Sequence, residues 1–139
     1  MKPLLLAAGI TLLASSLYAE EAVRPVVVKP VLTTEVTASG QPIALPPKDA
    51  QLIVSTYEIA PGAVLPEHKH PFSRYAYVLS GALRVTNAET GKSDVYNIGD
   101  FITEAVGQWH HGENIGTDTV KLLVIDHVEK GQSNVVLKK

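Results

Sequence analysis

The sequence predicts an all-β fold, a barrel or sandwich of short strands, and three observations support this prediction. Short runs rich in β-branched and aromatic residues recur at close spacing after residue 50. Turn dipeptides end these runs at Pro61-Gly62, Ser80-Gly81, Thr90-Gly91 and Ile98-Gly99. No amphipathic helical pattern follows the N-terminal apolar run. A chain of 139 residues fits one such domain and argues against two.

The first residues have the pattern of a secretory signal peptide. Lys2 precedes an apolar run from Leu4 to Leu17, and the small residue Ala19 stands before Glu20-Glu21. The run is too short for a permanent membrane anchor. We therefore expect residues 1–19 to be cleaved after Ala19 and the protein to be periplasmic or secreted. The alternatives are a retained N-terminal anchor and a buried helix.

Residues 20–50 predict an arm and a loop ahead of the main domain. Residues 20–50 are rich in proline and β-branched residues, which indicates an arm or an edge strand, because proline cannot donate the hydrogen bond that a central strand needs. Residues 39–50 predict a loop. The domain itself is expected over residues 51–139. Its predicted strands are 51–59, 64–68, 74–79, 82–88, 93–97, 101–104, 120–128 and 134–138.

Composition argues against several classes of function. The formal net charge is −2 and no basic cluster is present, so we expect no nucleic-acid partner. The absence of cysteine excludes disulfides, thiolate metal ligands and cysteine nucleophiles. The sequence contains no G-x-S-x-G, phosphate-binding glycine loop or H-E-x-x-H pattern.

Two histidines form a candidate half of a metal site. His68 and His70 stand one residue apart, shortly after the turn at Pro61-Gly62. In an extended chain, side chains two residues apart point to the same face, so both imidazoles can reach one point. Imidazole is a ligand for zinc, copper, iron and nickel.

The chain resembles the cupin family in two motifs, residues 62–81 and 99–114. The first family motif is glycine, five residues, H-x-H, a few residues, glutamate, six residues and glycine. The residues that fit it are Gly62, His68, His70 and Gly81. The second is glycine, five residues, proline, one residue, glycine, two residues, histidine, three residues and asparagine. The residues that fit it are Gly99, Gly107, His110 and Asn114, with Ala105 at the proline position.

This resemblance implies a single cupin double-stranded β-helix, a jelly-roll-like barrel, behind the N-terminal arm. It implies His68, His70 and His110 as ligands of a divalent metal. Iron, zinc, copper, nickel and manganese are the candidates, and a site without metal is the alternative. Many cupins form homodimers through an extra strand, and residues 26–36 are the segment that would supply one here.

The chain departs from the family at the glutamate ligand, where Arg74 stands, separated from Gly81 by six residues. Arginine stays protonated and has no lone pair for a metal. Strand parity with His70 points Arg74 into the barrel. It then either binds a substrate carboxylate or forms a structural ion pair with an acid such as Glu104; a different loop register would turn it to solvent. Glu104 itself is either an extra ligand or a solvated turn residue.

Three aromatic residues are further candidates for substrate binding. Tyr75, Tyr77 and Trp109 either line the mouth of a pocket or pack on a half-buried sheet. His111 follows a candidate ligand and is expected to point away from it. His127 lies in an apolar strand and is expected in the core or at its rim.

These observations predict an exported small cupin that binds a divalent metal through three histidines. The expected partner is a small molecule, with a carboxylate as the favoured class, and the expected activity is that of an oxygenase or an isomerase. The alternative is a non-catalytic cupin of the cell envelope that binds a ligand, senses it or handles metal. The fold does not identify a substrate, because one fold supports unrelated functions.

Overall fold

The computed structural model describes residues 28–46 and 48–139. The predicted signal peptide, with its cleavage after Ala19, lies outside the described residues, and so do residues 20–27. In the described part of the chain, no helix is long and apolar enough to cross a membrane.

Residues 28–46 and 48–139 contain nine β-strands and no helix, which confirms the predicted all-β class. The strands are β1 (Ala50–Ile59), β2 (His68–Lys69), β3 (Arg74–Ser80), β4 (Ala82–Asn87), β5 (Ser93–Asn97), β6 (Phe101–Thr103), β7 (His110–Asn114), β8 (Val120–Glu129) and β9 (Val136–Leu137).

The nine strands form two antiparallel sheets around one core. The first sheet has the order β1-β8-β3-β6 and the second the order β5-β4-β7-β2-β9. Most neighbours within a sheet are distant in sequence, so the chain repeatedly passes from one sheet to the other. This arrangement is the jelly-roll-like barrel that the resemblance to the cupin family implied.

Strict alternation on β3 and β8 builds the core. The inward residues of β8 include Val120, Leu122 and Val124, each at most 4% exposed, while the residues between them are exposed or half-buried. Such alternation follows from the two-residue period of a strand. Arg74 and Asp126 are paired across β3 and β8 and also point inward, so the barrel interior carries a buried charge pair.

Two strands differ from the sequence prediction. The strand expected at 64–68 is reduced to a bridge at Val64 and the two residues of β2, because Pro66 between them has no N–H to donate. The strand β7 was not predicted, because its glycine, glutamate and asparagine have low β propensity. Pairing with β4 on one side and β2 on the other makes it a central strand, and here packing outweighs propensity.

The described part of the arm lies against the end of the first sheet. Residues 28–36 form no strand, and one isolated bridge joins Val36 to Pro42. The Ala38 N–H donates to the Thr103 carbonyl at 2.8 Å, which ties the arm to β6. Residues 28–36 therefore fit an arm and not an edge strand of the same chain, and their role as the extra strand of a homodimer stays a prediction.

Candidate metal centre

Backbone pairing in the second sheet brings three histidines together. His68 on β2 is the register partner of His110 on β7, so their side chains lie side by side on one face. His70 forms a parallel bridge with Val106, and the Gly107 N–H donates to the His70 carbonyl at 2.8 Å. The three imidazoles are buried, at 9%, 0% and 3% exposure in chain order.

The fourth member of the cluster is Glu104. Its Oε2 lies 3.1 Å from His70 Nε2 and 3.0 Å from His110 Nε2, and these two nitrogens are 3.1 Å apart. One ligand atom from each of these residues and from His68 lies within 4.8 Å of all the others. Separations near 3 Å suit neighbouring ligands of one ion with bond lengths of roughly 2.0–2.2 Å.

Each imidazole is held in the tautomer that a metal ligand needs. Each Nδ1 lies 2.6–2.9 Å from a backbone carbonyl oxygen. The carbonyls belong to Pro66 for His68, to Asn134 for His70 and to Gln108 for His110. A carbonyl oxygen only accepts hydrogen bonds, so each Nδ1 carries the proton and each Nε2 is left to face the cluster.

This arrangement requires a positive charge at its centre. With Nδ1 protonated, the Nε2 of a neutral histidine is an acceptor, as are the oxygens of Glu104, and acceptors about 3 Å apart repel one another. An added proton relieves part of the repulsion, whereas a divalent cation can take a lone pair from all four residues. Three nitrogens and one carboxylate oxygen suit zinc, iron, manganese, copper and nickel. The four residues therefore fit a divalent metal.

The titration of the metal-free cluster follows from burial and from the contacts with Glu104. Burial alone would raise the pKa of Glu104, but the close contacts with His110 and His70 hold it well below its ordinary value, so the carboxylate is ionised. Burial also opposes charge on His110, but the hydrogen bond with Glu104 prevails and raises the pKa of His110. Burial lowers the pKa of His68, which keeps that ring neutral at neutral pH.

Glu104 reaches the cluster from the end of β6, which pairs with β3, and β3 carries Arg74 at the family's glutamate position. It directly follows β6, and its N–H donates to the carbonyl of Arg74 at 3.0 Å. Its side chain is only 14% exposed, so it is not a solvated turn residue. The carboxylate missing at position 74 is thus matched by one at position 104.

Arg74 points into the barrel, as strand parity predicted, and forms a structural ion pair. Its partner is Asp126 and not Glu104: Nε donates to Oδ1 at 2.7 Å and Nη2 to Oδ2 at 3.0 Å. Both side chains are less than a tenth exposed, and the guanidinium lies 5.6 Å from the ring centroid of Tyr57. The substrate-binding role of Arg74 stays a prediction, and only Nη1 lacks a bond to Asp126.

Two small cavities flank the cluster. One, of about 40 Å³, lies inside the barrel and is lined by His68, Arg74 and apolar residues of both sheets. The other, of about 30 Å³, lies on the side of β4 and β5 and is lined by Lys92 and Tyr96 among others. Glu104 and His110 line both cavities, so a ligand in either one meets the cluster.

The other aromatic candidates lie elsewhere. Tyr75 and Tyr77 project from the outer face of the first sheet and, with Phe101, line an open groove against the arm residues Val31 and Leu32.

Trp109 stacks below the ammonium of Lys69, 4.6 Å from the ring centroid, and lines neither cavity beside the cluster. The substrate-binding roles of Tyr75, Tyr77 and Trp109 stay predictions. His111 and His127 are half-buried outside the cluster, and Nδ1 of His127 is buried without a hydrogen-bond partner.

Sequence reasoning missed three residues of the site. Asp126 and Asn134 approach His70 and Arg74 from more than fifty positions away, and no spacing rule links them. Tyr96 was not considered, although its place on the inner face of a short strand could have indicated it. Burial and the charges of Asp94 and Glu104 raise the pKa of Tyr96 to about 12, so it remains a hydrogen-bond donor.

The comparison with protein families agrees with the motifs. The sequence profile of the cupin domain family matches residues 55–126, more than half of the chain. A comparison with curated proteins gives no match.

Solved structures share the fold at low identity. The polyketide cyclase RemF from Streptomyces resistomycificus is 22% identical with a TM-score of 0.54, over 67% of this chain and 65% of that one. An uncharacterised protein with a double-stranded β-helix domain from Klebsiella pneumoniae is 19% identical with a TM-score of 0.51, over 81% and 96%. These two likenesses bear on the fold alone.

A third similar structure is the oxalate decarboxylase of Bacillus subtilis, a protein with Mn(II) centres. It is 27% identical with a TM-score of 0.53, over 62% of this chain but only 23% of the decarboxylase. The chain thus spans less than a quarter of that enzyme and slightly less than two thirds of the cyclase. The motifs, the fold, the buried histidine cluster and the profile match lead to one conclusion: this chain belongs to the cupin family.

Proposed function

We propose that His68, His70, His110 and Glu104 hold one divalent metal ion beside a binding site for a small organic anion. The observation that carries the proposal is the convergence of three Nε2 lone pairs and one carboxylate, with every Nδ1 proton held by a carbonyl. Iron, manganese, zinc, copper and nickel remain the candidate ions, because all accept imidazole and carboxylate ligands.

Charge favours an anionic ligand. Glu104 neutralises one of the two charges of a divalent ion, and Asp126 neutralises Arg74 across a bidentate pair. A single net positive charge is therefore left beside cavities that have mostly apolar walls. In such surroundings an anion gains more from the ion than it would in water.

Tyr96 is the candidate donor for that anion. It lines the cavity on the β5 side together with Glu104 and His110, and its phenol keeps its proton. An anion between the ion and Tyr96 would accept a hydrogen bond from that hydroxyl.

The size of the cavities limits the ligand to a few heavy atoms. A single water needs roughly 10–15 Å³ of such space, so a cavity of about 40 Å³ admits only a small group. A short carboxylate fits this limit, and oxalate decarboxylase provides a parallel at 27% identity.

As an oxygenase or isomerase, the protein would use the metal for Lewis-acid polarisation of the substrate or for activation of dioxygen. Its own residues would orient the anion through Tyr96 and exclude water with the apolar barrel wall. The alternative is a non-catalytic cupin that senses a ligand or handles metal, and the small cavity limits the size of a ligand and of a substrate alike.

Metal titration tests the proposal. The full chain, purified without chelator or affinity-tag histidines, is titrated with Mn²⁺, Fe²⁺ and Zn²⁺ beside His110→Ala and the matched control His111→Ala. We expect one ion per chain in the wild type and the control, and loss of binding in His110→Ala. Equal binding in both variants would refute the four-residue centre. A folded wild type that takes up no metal would leave the ligand-binding cupin as the function.

Export and dimer formation are separate proposals. Export to the periplasm, or secretion, rests on the pattern of residues 1–19, and N-terminal sequencing of exported protein tests cleavage after Ala19. Exposed apolar side chains on the edge strand β1, such as Leu52 and Val54, support a homodimer. Light scattering on the purified protein tests that state. The expected lack of a nucleic-acid partner stays a prediction.

A further inference from the structure

We propose that Asn134, supported by Asp126 and Arg74, is a positioning residue that fixes His70 for metal binding, so that the C-terminal segment is a functional part of the centre. This inference rests on the proposed metal centre. It assigns a role to the charge pair of Asp126 and Arg74, the residue at the family's glutamate position.

Asn134 makes three short hydrogen bonds, and one of them holds the His70 ring. Its backbone carbonyl accepts the Nδ1 proton of His70 at 2.6 Å, and its side-chain oxygen accepts the N–H of Phe72 at 2.8 Å. Its side-chain nitrogen donates to Asp126 Oδ1 at 2.6 Å. Asn134 is 5% exposed, so none of these bonds has water as a ready substitute.

His70 differs from the other two histidines in how its ring is held. His68 and His110 each donate to a carbonyl two residues earlier, at Pro66 and Gln108, so their own strands fix them. His70 donates to a residue 64 positions away. Its tautomer and ring orientation therefore depend on docking of the C-terminal segment, and loss of that contact should disturb this histidine and spare the others.

The charge pair anchors the clamp inside the barrel. Asp126 Oδ1 accepts hydrogen bonds from both Arg74 and Asn134, so the amide of Asn134 completes the carboxylate's partners. An aspartate at 7% side-chain exposure needs such partners, because an unpaired buried charge is costly. Contacts thus run without a break from Arg74 through Asp126 and Asn134 to His70.

The segment is also attached beyond Asn134. Strand β9 pairs with β2 through Leu137 opposite His68 and Val136 opposite Lys69. The Lys138 ammonium lies 2.6 Å from a carboxylate oxygen of Glu67 at the surface. This exposed ion pair holds the same segment without touching His70, and Lys138→Ala is therefore a matched control.

Metal affinity tests the proposal in the full chain. Asn134→Ala keeps the backbone carbonyl that accepts from His70 but loses the side-chain bonds to Phe72 and Asp126 that hold this carbonyl in place. We expect the variant to weaken the binding of Mn²⁺ or Zn²⁺ by about 10- to 100-fold, the range for partners that orient a ligand. Lys138→Ala should stay within about threefold of the wild type, since exposed ion pairs contribute little. Val78→Ala, in the hydrophobic core, is a second control: it lowers the free energy of unfolding without removing a contact of His70.

Side-chain ¹⁵N NMR of the metal-free protein gives a readout that a general loss of stability would not move. In the wild type, His70 should be found in the Nδ1–H form with a proton that exchanges slowly with water. In Asn134→Ala, the carbonyl at position 134 is no longer held in place, so the His70 signals should shift toward a mixture of tautomers, while His68 and His110 keep the Nδ1–H form that their own carbonyls fix.

Two results would overturn the proposal. One is a wild-type His70 that carries its proton on Nε2 or populates both tautomers. This measurement uses the wild type alone, so it decides the matter even if Asn134→Ala fails to fold. The other is a folded Asn134→Ala with the affinity and tautomer of Lys138→Ala. A wild type that binds no metal but shows the expected tautomer would contradict the proposed function and leave the clamp standing.

Discussion

Replacement of Glu104 with glutamine tests the part of the centre that differs most from the family pattern. Glutamine keeps the shape of the side chain and removes its charge. In the wild type, one carboxylate oxygen contacts His70 at 3.1 Å and His110 at 3.0 Å. A hydrogen bond to a charged group contributes about 1.5–3 kcal/mol, and the amide oxygen keeps one neutral contact. We therefore expect the free energy of unfolding of the metal-free protein to fall by about 1.5–3 kcal/mol.

We expect the free energy of metal binding to fall by a similar amount. At 1.4 kcal/mol per factor of ten, removal of the anionic ligand should weaken metal binding roughly 10- to 150-fold. Denaturant unfolding and metal titration measure the two quantities. Glu113→Gln is the control, because that carboxylate is 35% exposed and lies 3.3 Å from Arg84. The reasoning is refuted if Glu104→Gln matches Glu113→Gln in both measurements.

Four further predictions concern pH, ligand and fold. The pKa of Glu104 is lowered from 4.5 in the folded protein, so the stability that this carboxylate contributes is lost as pH falls below 4.5. The pKa of His110 is raised from 6.5, so the stability that this ring contributes is lost as pH rises through the raised pKa. The difference in the free energy of unfolding between wild type and Glu104→Gln should therefore be largest between pH 4.5 and pH 6.5. A difference that does not change with pH would contradict the ion pair.

Tyr96→Phe should leave metal affinity unchanged and weaken the binding of formate or azide to the Co²⁺-loaded protein about 5- to 10-fold, measured by absorption titration; unchanged anion affinity excludes the donor role. Arg74→Met should lower the free energy of unfolding, measured by heat or denaturant, by about 3–5 kcal/mol, because Asp126 is left buried without its cation. A loss below about 1 kcal/mol would contradict the burial of this pair. Gly81→Ala should lower the free energy of unfolding by about 1–3 kcal/mol, since Gly81 has φ +77° and an added Cβ would lie 2.8 Å from Val120 Cγ2. The control Gly91→Ala has open space around the added Cβ and should lower the free energy of unfolding by less.

The periodicity of the sequence was enough to predict the strands that form the core. Alternation in β8 and the glycine turns around β3 and β4 determine their faces and limits, because a strand period of two leaves one consistent register. The prediction failed at β7, where His110, Gly112 and Asn114 have little intrinsic preference for a strand. Pairing on both edges, at Leu83–Asn114 and at His68–His110, decides the conformation there.

The site was predictable as far as local spacing reaches. Two-residue alternation placed His68 and His70 on one face, and the motif placed His110 with them. The geometry of Glu104 depends on a hydrogen bond to Arg74 and on the bridge between His70 and Val106, which no local pattern specifies. The contacts of Asn134 depend on the docking of the chain end, so only the folded structure reveals them.

The most direct test of the metal centre is anomalous diffraction from crystals of the full chain grown with Mn²⁺ or Zn²⁺. The account predicts one strong anomalous peak within bonding distance of Nε2 of His68, His70 and His110 and of a carboxylate oxygen of Glu104. A peak held by other residues, or no peak at this cluster in crystals that contain stoichiometric metal, would contradict it.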